Sequence, residues 1–155
     1  ETLRYLLRRR AKLVFLHGAL HLYPRDAAVE KAHSVRSETL VDQLRQNLGT
    51  ERWPLLVAEG KGADKERHIA ASPYLLRGLS RLAAPGPTVV FGCSLSDADA
   101  HIRRALVKSA RRHPIYVGVF RGQGPVRALR AEAEAQGVSC DIVPFDARTL
   151  PVWKA

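Results

Sequence analysis

The sequence predicts an α/β fold in which one mainly parallel sheet carries helices on both faces. Short apolar runs bounded by glycine or proline alternate along the chain with segments whose apolar residues recur at helical spacing. Such alternation favours right-handed βαβ units, which build parallel sheets. The length of 155 residues suits a single domain, 1–155, that can bury a core.

The strand expected to organise this sheet is Thr88–Phe91, a buried apolar run. Gly92 ends it, and Ser96 is expected to cap the next helix with Asp99 as its capping-box partner. The turn between such a strand and helix lies at the carboxyl ends of the strands, where open α/β sheets bind ligands. This turn is therefore a candidate binding site, although many such turns bind nothing.

Further strands and helices follow from the same patterns. Residues 19–23 suit either a short strand or an extended loop, which Pro24 is expected to stop. Helices are expected from a cap at Ser37 to a glycine cap at Gly49, over Ala63–Ile69, after Ser72, and from Pro125 to Gly137. Four more strands are expected in the same sheet: Lys12–Leu16, Leu55–Ala58, Ile115–Phe120 and Ser139–Val143.

The chain is strongly basic, with 25 Lys and Arg residues against 15 Asp and Glu residues and a net charge of +10. This balance favours acidic partners such as nucleic acid or phosphate-bearing small molecules, and it is also typical of a solvated basic surface. The alternative function is therefore a non-catalytic basic module that binds nucleic acid or protein. The basic residues that would contact nucleic acid, or form a helix's solvent face, are Arg103, Arg104, Lys108, Arg111 and Arg112.

The cysteine usage and the ends of the chain set further limits. Cys93 and Cys140 are far apart and no CxxC spacing exists, so we expect no metal site, and reduced thiols in the cytoplasm. No apolar run approaches the length of a membrane span, and no signal peptide is visible. The chain begins at Glu1 and contains no Met, so we expect either a fragment or a processed chain, incomplete at its N-terminus.

Two groups of polar residues could carry chemistry. His17 ends an apolar run and precedes Gly18, so its imidazole could act as a general base or could simply hydrogen-bond the loop. Asp97, Asp99 and His101 follow the turn after the organising strand. They could hold ribose hydroxyls, or they could serve helix capping and the helix dipole.

The remaining motifs are weaker. Ser94 can donate its hydroxyl to a phosphate or a ribose. No G-x-S-x-G elbow is present, so a serine hydrolase lacks its main support. The glycine pairs Gly60/Gly62 and Gly122/Gly124 are too short for a Walker or dinucleotide fingerprint, and both are interpreted as turns.

Six segments, in order along nearly the whole chain, resemble a bacterial family catalogued as domain of unknown function 4917. Each segment alone is weak, but together they are specific. The segments are Phe15–Tyr23, Pro54–Gly60, Ser72–Leu75, Val90–Ile102, Ile115–Phe120, and Phe145–Ala147 with Val152 and Trp153.

That family in turn looks like the carboxyl-terminal half of sirtuin-like NAD-consuming domains. The resemblance implies a Rossmann-like three-layer sandwich and NAD as ligand or substrate. It implies that His17 is the catalytic histidine, and that Gly18 follows it in the site. It also implies that Gly92, Ser94 and Leu95 contact the dinucleotide, with Asp97, Asp99 and His101 beside them. Bacterial relatives with a Ser-Leu-x-Asp-x-Asp run often hydrolyse NAD in phage defence.

The chain lacks several features of true sirtuins: the amino-terminal Gly-Ala-Gly phosphate loop, an Asn-containing ribose motif and the zinc cysteines. We therefore expect NAD glycohydrolase activity only where an amino-terminal half supplies the phosphate loop. Because parallel strands end at the same edge of a sheet, His17 and the turn Gly92–Ser94 are expected to converge.

Overall fold

The structure is a computed structural model that describes residues 13–26, 28–35, 38–58, 62–110 and 113–150. The chain divides into two compact units, Glu1–Val57 and Ala58–Ala155. Several predicted features lie outside the described residues: Lys12, Ser37, Gly60, Arg111, Arg112, Val152 and Trp153.

The first unit contains an antiparallel hairpin of β1 (Leu22–Arg25) and β2 (Ala28–Lys31). The predicted alternatives for residues 19–23 are thus resolved as a turn followed by a strand. Pro24 does not stop that strand; it lies inside β1 opposite Val29. A two-stranded ribbon has an unpaired outer edge, so a residue without an N–H group is tolerated there.

The helix α1 (Leu40–Gly49), the first among the described residues, begins with a reciprocal capping box. The Thr39 hydroxyl accepts a hydrogen bond from the Asp42 N–H at 3.2 Å, and the Asp42 carboxylate accepts one from the Thr39 N–H at 3.2 Å. The N-cap is therefore Thr39, and the C-cap is Thr50 rather than the expected Gly49. The two reciprocal hydrogen bonds between Thr39 and Asp42 satisfy two backbone N–H groups that the helix itself leaves without a partner.

The predicted strands Lys12–Leu16 and Leu55–Ala58 do not form as strands where the structure describes them. The Gly18 N–H donates to the Phe15 carbonyl at 3.1 Å, so the chain turns at this point. It then meets the second segment in an isolated antiparallel bridge between Gly18 and Leu56. A Cβ atom on Gly18 would lie 1.9 Å from the Leu55 carbonyl oxygen, so only glycine permits this approach.

The second unit is a mixed α/β structure with a three-stranded parallel sheet in the order β3–β4–β5. The strands are β3 (Thr88–Val90), β4 (Ile115–Val119) and β5 (Ile142–Asp146). The prediction of β4 is confirmed to within one residue, whereas β5 begins three residues later than predicted and continues to Asp146. The side chains that form the core between sheet and helices include Leu95, Leu106, Val107, Ile115, Val117, Val126 and Leu129.

The expectation that Thr88–Phe91 is the buried strand that organises the sheet is wrong for the described chain. β3 pairs only with β4 there, and it forms one edge of the sheet. Val90 is buried, whereas Val89 points away from the core and is 63% exposed. A run of apolar residues cannot by itself distinguish a strand covered on both faces from one covered on a single face.

The described residues of the second unit also form four α-helices: α2 (Gly62–Ala71), α3 (Pro73–Leu82), α4 (Ala100–Ser109) and α5 (Gly124–Ala135). The predicted Ser72 cap of α3 is confirmed, because its hydroxyl accepts a hydrogen bond from the Leu75 N–H at 3.4 Å. None of the helices in the described residues has the length and apolar composition needed to cross a bilayer.

The expected capping box of Ser96 and Asp99 is absent. A short 3-10 turn, Asp97–Asp99, precedes α4, and neither Ser96 nor Asp99 makes a side-chain capping bond. Arg103 instead fixes the segment before this turn, because its Nη1 donates to the carbonyl oxygens of Leu95 at 2.8 Å and Ser96 at 2.6 Å. Its Nε also lies 3.6 Å from a carboxylate oxygen of Glu132 on α5, and both side chains are 13% exposed.

We expect Arg103→Ala to lower the free energy of unfolding by about 2–4 kcal/mol, because it removes two charge-assisted hydrogen bonds and leaves the Glu132 carboxylate without this cation. Arg104→Ala is the matched control: its partner Glu66 and Arg104 itself are each 40% exposed, so the loss should stay below about 1 kcal/mol. Urea denaturation of both variants measures the difference. Equal losses would contradict the role assigned to Arg103.

Candidate functional site

A cleft of about 770 Å³ lies at the carboxyl ends of all three strands of the parallel sheet. One wall is the turn after β3, from Phe91 to Ser94. A second wall is the loop after β4, which leads into the first residues of α5. The segment after β5, with Ala147 and Arg148, closes the third side. This is the edge of an open α/β sheet at which ligands bind.

The turn after β3 has an unusual backbone. Gly92 has a φ of 67°, and Leu95 has a φ of 51° although it is a branched residue. The left-handed region costs a non-glycine residue about 1–2 kcal/mol. Leu95 tolerates it because its side chain is fully buried in the core and its carbonyl accepts the Arg103 bond. Core packing and Arg103 therefore fix the shape of this wall.

Aromatic rings pack beside the cleft because a residue of β4 has no side chain. A Cβ atom on Gly118 would lie 3.0 Å from Cζ of Phe145 and 3.2 Å from Cδ2 of Phe91. Both distances are closer than ordinary carbon contacts, so a larger residue would push these rings apart. Phe120, which follows β4, is 65% exposed and also lines the cleft.

Two arginines line the cleft, and they differ in their partners. Arg148 donates to both carboxylate oxygens of Asp146, with its Nη2 at 2.7 Å from Oδ2. This side-chain hydrogen bonding, together with the Arg148 N–H, lowers the pKa of Asp146 from 3.8 to about 2. Arg121 forms no ion pair within the described part of the chain, and its guanidinium carbon lies 5.6 Å from the Phe120 ring centroid.

The amino-terminal end of α5 also faces this cleft through Gly124 and Pro125. Its N-cap, Gln123, makes no side-chain capping bond. The first N–H groups of a helix carry a partial positive charge and favour anions. Together with Arg121, they make this end of the cleft suited to a negatively charged group.

The structure places the predicted site residues of the turn in different roles. Gly92 and Ser94 line the cleft. The Leu95 side chain is buried in the core. The Asp97 carboxylate is fully exposed and lies 3.3 Å from Arg103, whereas Asp99 lies 3.8 Å from the Lys65 ammonium group.

His101 belongs to a second cavity of about 550 Å³ between α2, α3 and α4. Its side chain is 3% exposed, and apolar residues such as Ile69 and Leu79 share the cavity wall. His101 does not line the cleft at the strand ends. His101 is the second residue of α4, and at this position its side chain faces α2 and α3 rather than the sheet edge.

His17 and Gly18 lie in the unit Glu1–Val57. The carbonyl oxygen of His17 accepts a hydrogen bond from the Val57 N–H at 2.8 Å, and Gly18 forms the bridge with Leu56. The backbone of this pair therefore has a structural role. The catalytic role of His17 and its convergence with the turn Gly92–Ser94 stay predictions.

Among the three described basic residues predicted to contact nucleic acid, two have partners within the protein. Arg103 binds backbone carbonyls and Glu132, and Arg104 pairs with Glu66. Lys108 is exposed. Arg103 and Arg104 are therefore less available to bind phosphate groups of a nucleic acid, since their guanidinium groups already have partners.

Sequence reasoning missed Gly118, Phe120, Arg121 and Arg148 as cleft residues. The pair Gly122/Gly124 was interpreted as a simple turn because no nucleotide fingerprint was complete. A usable signal was present: the loop 121–124 follows a strong strand prediction and precedes a helix that begins with proline. The same rule that selected the turn after β3 applies to every parallel strand of the sheet.

Comparison with known families identifies one match: the family model described as Domain of unknown function (DUF4917) matches residues 2–153. Neither the curated proteins nor the solved structures give a match. The resemblance predicted from the six sequence segments is thereby confirmed for this family. The further likeness to sirtuin-like domains stays a prediction.

We expect the Asp146 carboxyl group to titrate with a pKa of about 2 in the native protein and with a higher pKa in Arg148→Gln, still below the ordinary 3.8 because the backbone N–H of residue 148 is kept. The lowered pKa means that this pair stabilises the fold above about pH 4 and that its contribution is lost as the pH falls towards 2. Carboxyl carbon NMR shifts measure both midpoints. Asp42, whose lowered pKa comes from Thr39, is the internal control and should be unchanged.

Proposed function

The chain belongs to the DUF4917 family, and we propose that its cleft at the strand ends binds a nucleotide of the NAD class. The single observation that carries this proposal is the position of the cleft, at the carboxyl edge of a parallel sheet and between the connections that follow β3 and β4 and the segment that follows β5. Its volume of about 770 Å³ falls in the range of small-molecule and cofactor sites.

Glycines on two walls support the proposal. Gly92, Gly122 and Gly124 line the cleft, and a Cβ atom on any of them would meet nothing within 4 Å. The backbone at these positions is therefore open to close approach by a ligand. Backbone N–H groups that face a cleft are the usual partners of phosphate oxygens.

The polar groups that line the cleft can bind the ribose and the phosphates of a nucleotide. Ser94 is exposed on the turn after β3 and offers a hydroxyl to a ribose or phosphate oxygen. Arg121 and the amino-terminal end of α5 supply positive charge for the phosphates. Arg148 contributes less, because Asp146 already balances its charge.

The finer part of the proposal follows from the sequence resemblance. We propose that the unit is part of a Rossmann-like three-layer, sirtuin-like domain, and that NAD is its ligand or substrate. Hydrolysis of NAD, as in phage defence, would require an amino-terminal phosphate loop, with His17 as the general base. In such a protein His17→Ala should lower turnover by roughly 10²–10⁴-fold.

We expect Gly124→Leu to weaken binding of NAD and ADP-ribose by at least roughly tenfold, because the new side chain would occupy the cleft beside the first turn of α5. Gly86→Leu is the matched control: Gly86 is also open, with no atom within 4 Å of its Cβ position, but it lies in the loop before β3 and outside the cleft. Isothermal titration calorimetry of the full chain measures the affinities.

The thermal midpoint of each variant verifies that both remain folded. If NAD and ADP-ribose bind the Gly124→Leu chain as well as the unaltered chain, the ligand does not occupy this cleft. If the unaltered chain binds neither compound at millimolar concentration, the proposal that this chain binds a nucleotide is wrong.

A further inference from the structure

We infer that Phe120 is the residue that binds the base of the nucleotide, by stacking the planar ring on its exposed face. This inference rests on the proposed nucleotide binding and adds the orientation of the ligand in the cleft. It assigns the base to the loop after β4, whereas the sequence resemblance concerns the turn after β3.

The exposure of Phe120 is the first observation. Its side chain is 65% exposed, although it follows directly on β4 and lines a concave surface. Large apolar side chains that remain in water within a cleft commonly mark a binding surface. An aromatic ring offers a flat face of about the size of a nucleobase, and such stacking tolerates every base because each has a π-face.

The packing beside Phe120 is the second observation. Phe91 and Phe145 lie against Gly118 of β4, two residues before Phe120. Phe91 is 39% exposed and also lines the cleft. The sheet edge therefore presents an aromatic region next to the exposed ring, and this region suits the apolar, planar part of a ligand.

The neighbouring charge is the third observation. The Arg121 guanidinium carbon lies 5.6 Å from the Phe120 centroid, within the range of a cation–π contact. Within one cleft, a flat apolar surface thus adjoins a cation that has no ion pair among the described residues. A ligand that fits must join a planar ring to an anionic group, which is the composition of a nucleotide. An aromatic or aliphatic acid is the competing occupant that the experiment must separate.

The experiment is an NMR titration of the full chain with two ligands that share a sugar and a phosphate. ADP-ribose carries adenine, whereas ribose 5-phosphate has no base. The variants are Phe120→Ala, Phe120→Leu and Phe120→Tyr, and backbone amide shifts report affinity and folding together. Tyr116→Leu is the control, because Tyr116 is a partly exposed ring on β4 that does not line the cleft.

We expect Phe120→Ala and Phe120→Leu to weaken ADP-ribose binding by roughly 5- to 150-fold, the range for loss of one stacked base. Phe120→Tyr should retain the affinity because it keeps the ring. Ribose 5-phosphate should bind the unaltered chain and all three variants equally, and Tyr116→Leu should bind both ligands as the unaltered chain does.

Three outcomes overturn the inference, and they separate it from the cleft proposal. If Phe120→Leu binds ADP-ribose normally while Gly124→Leu does not, the cleft binds the nucleotide but the base lies elsewhere. If benzoate or octanoate binds to the same amides more tightly than ADP-ribose, the ring serves an organic acid. If the unaltered chain binds no nucleotide, both proposals fail.

Discussion

The contacts of the Arg103 guanidinium group are the interactions on which the second unit most depends. This group donates to the carbonyls of Leu95 and Ser96 in the segment between β3 and α4, and it reaches the Glu132 carboxylate on α5. The same side chain thereby joins the turn after β3 to the helix after β4. Since each of these elements contributes residues to the cleft, one mostly buried cation links the supports of two of its walls. Its low exposure strengthens each of these contacts relative to a surface ion pair.

The partners of the individual arginines show that the high net positive charge does not by itself indicate a basic binding face. The net charge of +10 suggested a basic face for acidic macromolecules, with the arginines of α4 at its centre. Arg103 instead stabilises the fold, and Arg104 pairs with Glu66 on α2. Arg121 has no such ion pair in the described part of the chain, and it lies at the cleft. The positions of the charges, rather than their sum, indicate what kind of ligand this unit suits.

Local patterns predicted well those elements whose ends have their own chemical signals. β4 and the helix α3 lie where apolar runs, proline and a serine cap placed them. The expected strands Lys12–Leu16 and Leu55–Ala58 were wrong in their described parts. Their apolar residues matched a strand pattern, but the close backbone approach at Gly18 produced a bridge instead. The site was half predicted: Gly92 and Ser94 line the cleft, whereas Phe120 and Arg121 were missed.

The sequence by itself determined the alternation of strands and helices, the glycines that end strands, and the family, because these depend on neighbouring residues along the chain. Only the tertiary structure decided that β3 lies at an edge of the described sheet, that Arg103 donates to carbonyls seven and eight residues before it, and that His101 faces a helical cavity. The physical reason is that each of these depends on which surfaces pack together. Periodicity shows that a residue belongs to an apolar face, but the partner of that face is fixed by contacts between residues distant in sequence.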